Sequence, residues 1–372
     1  MRLPRFSLVT LLFLTFISFC AVGIIGFSSP WIKSKEVLAF SEVRWGKIFQ
    51  QRNNNFIVMG YCSDNSIRLW DETGQIRNVS TTEFRIVAAT LSPDGNHIVI
   101  LSESGDGYIC DVVSGLKIKF KMEAAAWRGA ALPSAVYINN AQFLVIGPDG
   151  KARAFEGAEG KLKATITLAD RLGAVDELSI TCIALSPDGE LALISNGAFG
   201  YASLCNLLTM LETFRLRHND SVFCAAFSNR SSVATVSEDI RLWDTRNGIE
   251  TNTFGNRGEV REMQFSPCAN RILLRLKTGN LEIASANSGS TLCNITCLTN
   301  VSFAAFTAPE TIIACTVDGK IIYLTRRFPE YWWGHFYRFE TWLLLVSLIG
   351  IVATRIRSHT PTRRKGVKIP SY

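Results

Sequence analysis

Proton transfer near neutral pH calls for histidine, and this 372-residue chain has four: His97, His218, His335 and His359. None belongs to a cluster with metal-ligand spacing. His97 follows the turn Ser92-Pro93-Asp94-Gly95 and reads as a solvated strand-edge residue. The carboxylates Asp94, Asp149, Asp188 and Asp318 each precede a glycine in a turn, where Asp bonds nearby backbone and Gly accepts positive φ. Of the ten cysteines, Cys62, Cys110, Cys182, Cys205, Cys224 and Cys315 are scattered through apolar strands and read as small buried hydrophobes. Cys293 and Cys297 alone are closely spaced, a weak signal for either a metal or a disulfide. No G-x-S-x-G, Walker A or G-x-G-x-x-G stands in a strand-helix context. The expectation is no catalytic, no cofactor-binding and no metal residue.

The elements that carry these residues repeat. The phrase "DIRLWDTRNG" at 239–248 has a twin, "SIRLWDETGQ", at 66–75. Each follows an apolar strand, a turn and a second apolar strand, and five worn copies of that pattern end at Cys110, Phe155, Cys205, Ala284 and Leu324. With Trp70 and Trp243 the anchors are 40, 45, 50, 38, 41 and 40 residues apart, the spacing of a propeller-type repeat. A fourth apolar stretch follows most anchors, as in 116–120, 161–167 and 210–216, so each unit predicts four short strands. The last unit lacks its fourth strand, and "EVLAF" at 36–40 is free to supply it and leave no open edge.

Across residues 36–328 the sequence resembles WD-repeat (WD40-like) β-propellers, most specifically in units one and five. The resemblance implies an all-β, seven-bladed propeller whose blades are pinned by a bonded set of His, Ser/Thr, Asp and Trp. Unit five matches with His218, Ser237 (or Thr235), Asp239 and Trp243; unit one offers Asp64 and Trp70 without a histidine. The other units lack the tryptophan, so apolar packing is expected to hold this degenerate propeller more than polar pins do.

The formal charge of +7 is unevenly placed. Residues 28–330 hold 30 basic and 31 acidic residues, a net of −1, while the flanks hold 9 basic and 1 acidic, a net of +8. A balanced propeller excludes the concentrated basic face that nucleic acid needs. The flanks read as membrane segments. After the basic residues 1–5, residues 6–27 run for 22 positions without a charge, long enough for a transmembrane helix acting as a signal anchor. A cleaved leader ending near Ala21-Val22-Gly23 is the other reading. Residues 336–354 predict a second transmembrane helix, with Trp332, Trp333, Tyr337 and Trp342 as an interfacial belt and 355–372 as a basic tail; an amphipathic surface segment is the alternative. The positive-inside rule puts both ends in the cytoplasm and the propeller on the far side of the membrane. Scattered thiols pull the other way, toward a cytoplasmic propeller. The sequons at Asn78, Asn219, Asn229, Asn294 and Asn300 do not decide between them.

The function expected from these features is a membrane-anchored, non-enzymatic scaffold for protein partners, needing no cofactor. Its contact residues are expected in the long connections 123–134 and 168–179, with Trp127 and Arg128 as the hot-spot types. The alternative is an extracytoplasmic enzyme or ligand sensor that uses groups converging on the central channel.

Overall fold

The middle strands of the repeats are near-continuous apolar runs, such as Phe56–Cys62 and Thr311–Thr316, and because successive side chains turn to opposite faces of a sheet, both faces need cover. The computed structural model describes residues 31–326, apart from 40, 51–54, 82–83, 122–133, 147–150, 158, 168–179, 197–199 and 256–259. These form seven four-stranded antiparallel sheets, the blades of an all-β propeller. Blades 1 to 6 take residues 43–81, 86–121, 134–167, 180–217, 224–254 and 260–295, each with its strands in chain order from the inner edge outward. Blade 7 takes three strands from 301–326 and its outer strand, Trp31–Leu38, from the start of the propeller.

That outer strand closes the ring as expected from 36–40, but it begins earlier, with Trp31 paired to Arg326 and Leu38 to Lys320. Its first half was hidden because Ile32–Glu36 face water, and Trp31 is the one fully buried side chain in the strand.

Among the described residues the buried hydrophobics fall into seven clusters, one at each interface between adjacent blades. The alternation is visible inside blade 1: Val58 joins the cluster shared with blade 7, and its neighbour Met59 joins the one shared with blade 2. No blade has a core of its own, so each draws its stability from the interfaces with its neighbours, as in other repeat architectures.

Every anchor read from the repeat lies in one register. Trp70 pairs with Val58, Cys110 with Ile98, Phe155 with Phe143, Cys205 with Ala192, Trp243 with Val233, Ala284 with Ile272 and Leu324 with Ile312. All seven are buried. The expected segments 6–27 and 336–354 lie outside the described residues, and among those described no helix is long and apolar enough to cross a membrane.

Candidate functional site

Blade 5 carries the bonded pin. Thr235 sits in the second strand, Ser232–Val236, with its hydroxyl between two aromatic groups. The Trp243 indole N–H donates to Thr235 Oγ1 at 2.7 Å, and His218 Nε2 shares a hydrogen bond with the same oxygen at 2.8 Å. The imidazole and indole meet edge to face, 5.5 Å between centroids. Thr235, not Ser237, is therefore the hydroxyl of the pin. Ser237 lies one residue past the strand and donates to the Asp220 carbonyl at 2.9 Å. Asp239 does not complete the set, because His218 Nδ1 is buried without a partner. Burial, helped by the Arg241 cation, pushes the His218 pKa down to about 4, so the ring is neutral at pH 7.

Blade 1 shows what happens when the hydroxyl is missing. The register that puts Thr235 two residues beyond the partner of Trp243 puts Gly60 two beyond the partner of Trp70. The Trp70 N–H is accordingly buried without an acceptor. Aromatic contacts hold the ring instead: Phe56 stacks on it at 6.0 Å and Tyr323 of blade 7 meets it edge-on at 6.0 Å. Asp64 stays local to its turn, accepting from the Ser66 hydroxyl at 2.5 Å and from Arg68, and these contacts hold its pKa below the usual value. In the other blades the position of Thr235 is Ile100, Val145, Ile194, Leu274 or Ala314, all apolar.

The remaining groups with chemical potential are also tied into structure. Asp94 accepts from the Ser92 hydroxyl at 2.5 Å and the Asn96 N–H at 3.1 Å, and Asp188 repeats the arrangement with Ser186 and Glu190. Asp318 accepts from the Thr316 hydroxyl. His97 is more enclosed than a solvated edge residue: it opens a middle strand opposite Asp111, and its side chain keeps 32 % of its exposure. Burial pushes the thiols of Cys110 and Cys205 up to about 11 and about 12, which leaves them unreactive near neutral pH. Cys293 is buried and Cys297 exposed, and no disulfide joins the two. Among the described residues no group of three or more His, Cys, Asp or Glu side chains is arranged to hold a metal ion. Trp127 and Arg128 lie outside the described residues.

The feature that reading the repeat missed lies on the inner edge of the ring. Lys47 on the first strand of blade 1 interacts electrostatically with Glu262 and Cys182, on the first strands of blades 6 and 4. The Lys47 side chain is exposed on the inner edge, with protein close around it. That desolvation pulls its pKa below the ordinary lysine value, against the opposing pull of Glu262 and Cys182. Glu262 accepts from Arg275 at 3.0 Å, so the one carboxylate here is already paired. Most inner-strand neighbours are small or apolar: Val87, Ala88, Val136, Ile138, Ala184, Ala225, Ala226 and Ala304. Separately, a cavity of about 670 Å³ on the rim of blades 6 and 7 is lined by Lys33, Glu36, Asp318 and Lys320. Lys320 reaches Asp318 at 3.0 Å and Glu36 at 3.5 Å, and Glu42 adds a third carboxylate to the lining, so acidic groups outnumber the two lysines.

Neither a protein-family model nor a curated protein matches the sequence. Solved structures match in number, 1821 chains, so the architecture is widely shared and does not single out an activity. One is a chain in the crystal structure of the mitotic checkpoint complex: 15 % identical, with a TM-score of 0.63, covering 79 % of this chain and 91 % of that one. The likeness establishes the fold. This chain is a seven-bladed β-propeller.

Proposed function

We propose that the protein is a membrane-anchored, non-enzymatic scaffold that presents the loops of a rigid ring to protein partners. The observation that carries this reading is the employment of the reactive side chains: His218 is spent on the blade pin and Asp94, Asp188 and Asp318 on turns. A closed ring fixes its loops relative to one another, so little ordering entropy is lost when a partner binds. The uncharged run 6–27 and the aromatic and basic segment 332–368 supply the anchoring part of the proposal.

A second reading rests on Lys47. Lys47, exposed on the inner edge while Glu262 is held by Arg275, offers a cation to a small anionic ligand, as a sensor would need. One experiment separates the two. Partner recovery by crosslinking in membranes is compared for the double variant Trp127→Ala with Arg128→Ala and for Lys47→Ala with Glu262→Gln. The scaffold reading expects recovery to fall in the first and hold in the second. Loss in the channel pair alone supports the sensor, and unchanged recovery in the loop pair removes those two residues from the contact.

A further inference from the structure

The third strand of every blade ends at its anchor, so all turns from third to fourth strand lie on one face of the ring. Of the eleven large hydrophobics exposed among the described residues, only Leu38, Phe223 and Val317 belong to the opposite face. On the turn face stand Ile76 (48 % exposed), Val113 (79 %), Leu116 (64 %), Leu208 (75 %), Leu211 (64 %) and Ile249 (61 %), joined by Leu162 and Ile32. Four of them repeat one position: Ile76, Leu116, Leu211 and Ile249 each come five residues after the Asp or Asn that follows an anchor. Singly exposed aliphatics are ordinary. The same position exposed on blades 1, 2, 4 and 5 forms an apolar rim.

The path of the chain says what covers it. Trp31 and Arg326 are paired residues, and Arg326 ends the third strand of blade 7. The propeller therefore joins both flanking sequences at this same face. Three residues, Ser28, Ser29 and Pro30, separate Trp31 from the uncharged run ending at Phe27, four chain steps with a reach of at most about 14 Å. Beyond Arg326 come Trp332, Trp333, Tyr337 and Trp342, residue types that settle at bilayer interfaces. The residue after the repeated position is basic on blades 1 and 2, Arg77 and Lys117, where it suits lipid phosphates, and acidic on blades 4 and 5, Glu212 and Glu250, so the aliphatic side chains rather than net charge carry the contact.

We infer that the turn face of the propeller lies against the bilayer, its aliphatic rim inserted among the headgroups. The partner of this surface is a lipid surface; the inference rests on the membrane-anchored reading above and deepens it. The geometry leaves the opposite face, with Phe223 and the 670 Å³ cavity, turned to the aqueous side.

The test uses the full chain in vesicles of zwitterionic and anionic phospholipid, with Cys20→Ser, Cys268→Ser and Cys297→Ser removing competing thiols. An environment-sensitive fluorophore is placed in turn at Leu116→Cys, Leu208→Cys and Ile249→Cys, with Phe223→Cys as the control on the other face. Lipid-borne nitroxide is expected to quench the three rim labels several-fold more than the control, and iodide in the buffer to do the reverse. Rim labels as open to iodide as the control, in vesicles that keep the chain through alkaline carbonate, overturn the inference and leave the anchors standing. Rim labels shielded from both quenchers mean a protein covers the rim, which also overturns it. A chain released by carbonate overturns anchors and inference together.

Discussion

Thr235 is one hydroxyl serving a buried indole and a half-buried imidazole, and its removal is correspondingly costly. Thr235→Val keeps the shape but leaves the Trp243 N–H and the His218 nitrogen without a partner. The expected loss is about 1–3 kcal/mol in urea unfolding, the desolvation cost of a stranded polar group. His218 adds a pH dependence of definite sign. Its folded pKa of about 4 lies below the unfolded value of 6.5, so between those values the unfolded chain binds more protons than the native one. The stability it contributes is whole above pH 6.5 and declines as the pH falls toward 4, by on the order of 2–3 kcal/mol at most. His218→Phe should flatten that part of the profile. Sequence placed His218 and Trp243 in the pin but put Ser237 ahead of Thr235, because the choice turns on where a strand ends. Thr235 lies within it with its side chain inward, and Ser237 lies beyond it. The orphaned Trp70 was less legible still, since the cause is an absence of side chain at Gly60 on a different strand.

Turns between third and fourth strands do more than reverse the chain. Gly289 has φ +64, and a Cβ there would stand 2.2 Å from the Phe254 ring of the preceding blade. Gly160 against Phe120 and Gly248 against Phe214 repeat the arrangement at 2.9 Å. Gly115 occupies the corresponding turn of blade 2 with φ +70 and open space around it. Comparing Gly289→Ala with Gly115→Ala thus separates backbone strain from collision. The second should cost about 1 kcal/mol for the left-handed backbone and the first roughly 1–3 kcal/mol more for overpacking, read as denaturation midpoints. At this scale the sequence was highly informative. Cys110, Cys205, Ala284 and Leu324 bear no chemical likeness to tryptophan, and Phe155 shares only its aromaticity, yet each was located by the spacing of strands and turns and each lies in the anchor register. The inner-edge set of Lys47, Cys182 and Glu262 was not located, because its members come from blades 1, 4 and 6 and no local pattern relates them.

The whole ring depends on one seam. Trp31 is buried against Phe306, ring centroids 6.0 Å apart, and belongs to the cluster that joins blades 6 and 7. Trp31→Ala should cost about 3–5 kcal/mol, as for a large buried aromatic. Hydrogen exchange should show protection vanishing first in 31–38 and 320–326, ahead of the other blades, since loosening the seam lets blade 7 open without the rest. Equal loss in all blades would mean that the ring unfolds as one unit. The seam also sets a clock. Ser34 bonds the Tyr323 carbonyl across 289 residues of chain. At synthesis rates of about 5–20 residues per second, the first strand waits roughly 15–60 s for the strand that will receive it. Throughout that interval the first strand of the propeller has no native neighbour and blade 1 has one flank uncovered. The newborn protein is therefore at its most vulnerable to pairing with a stranger, and a helper that acts on it has its work to do before the last blade emerges.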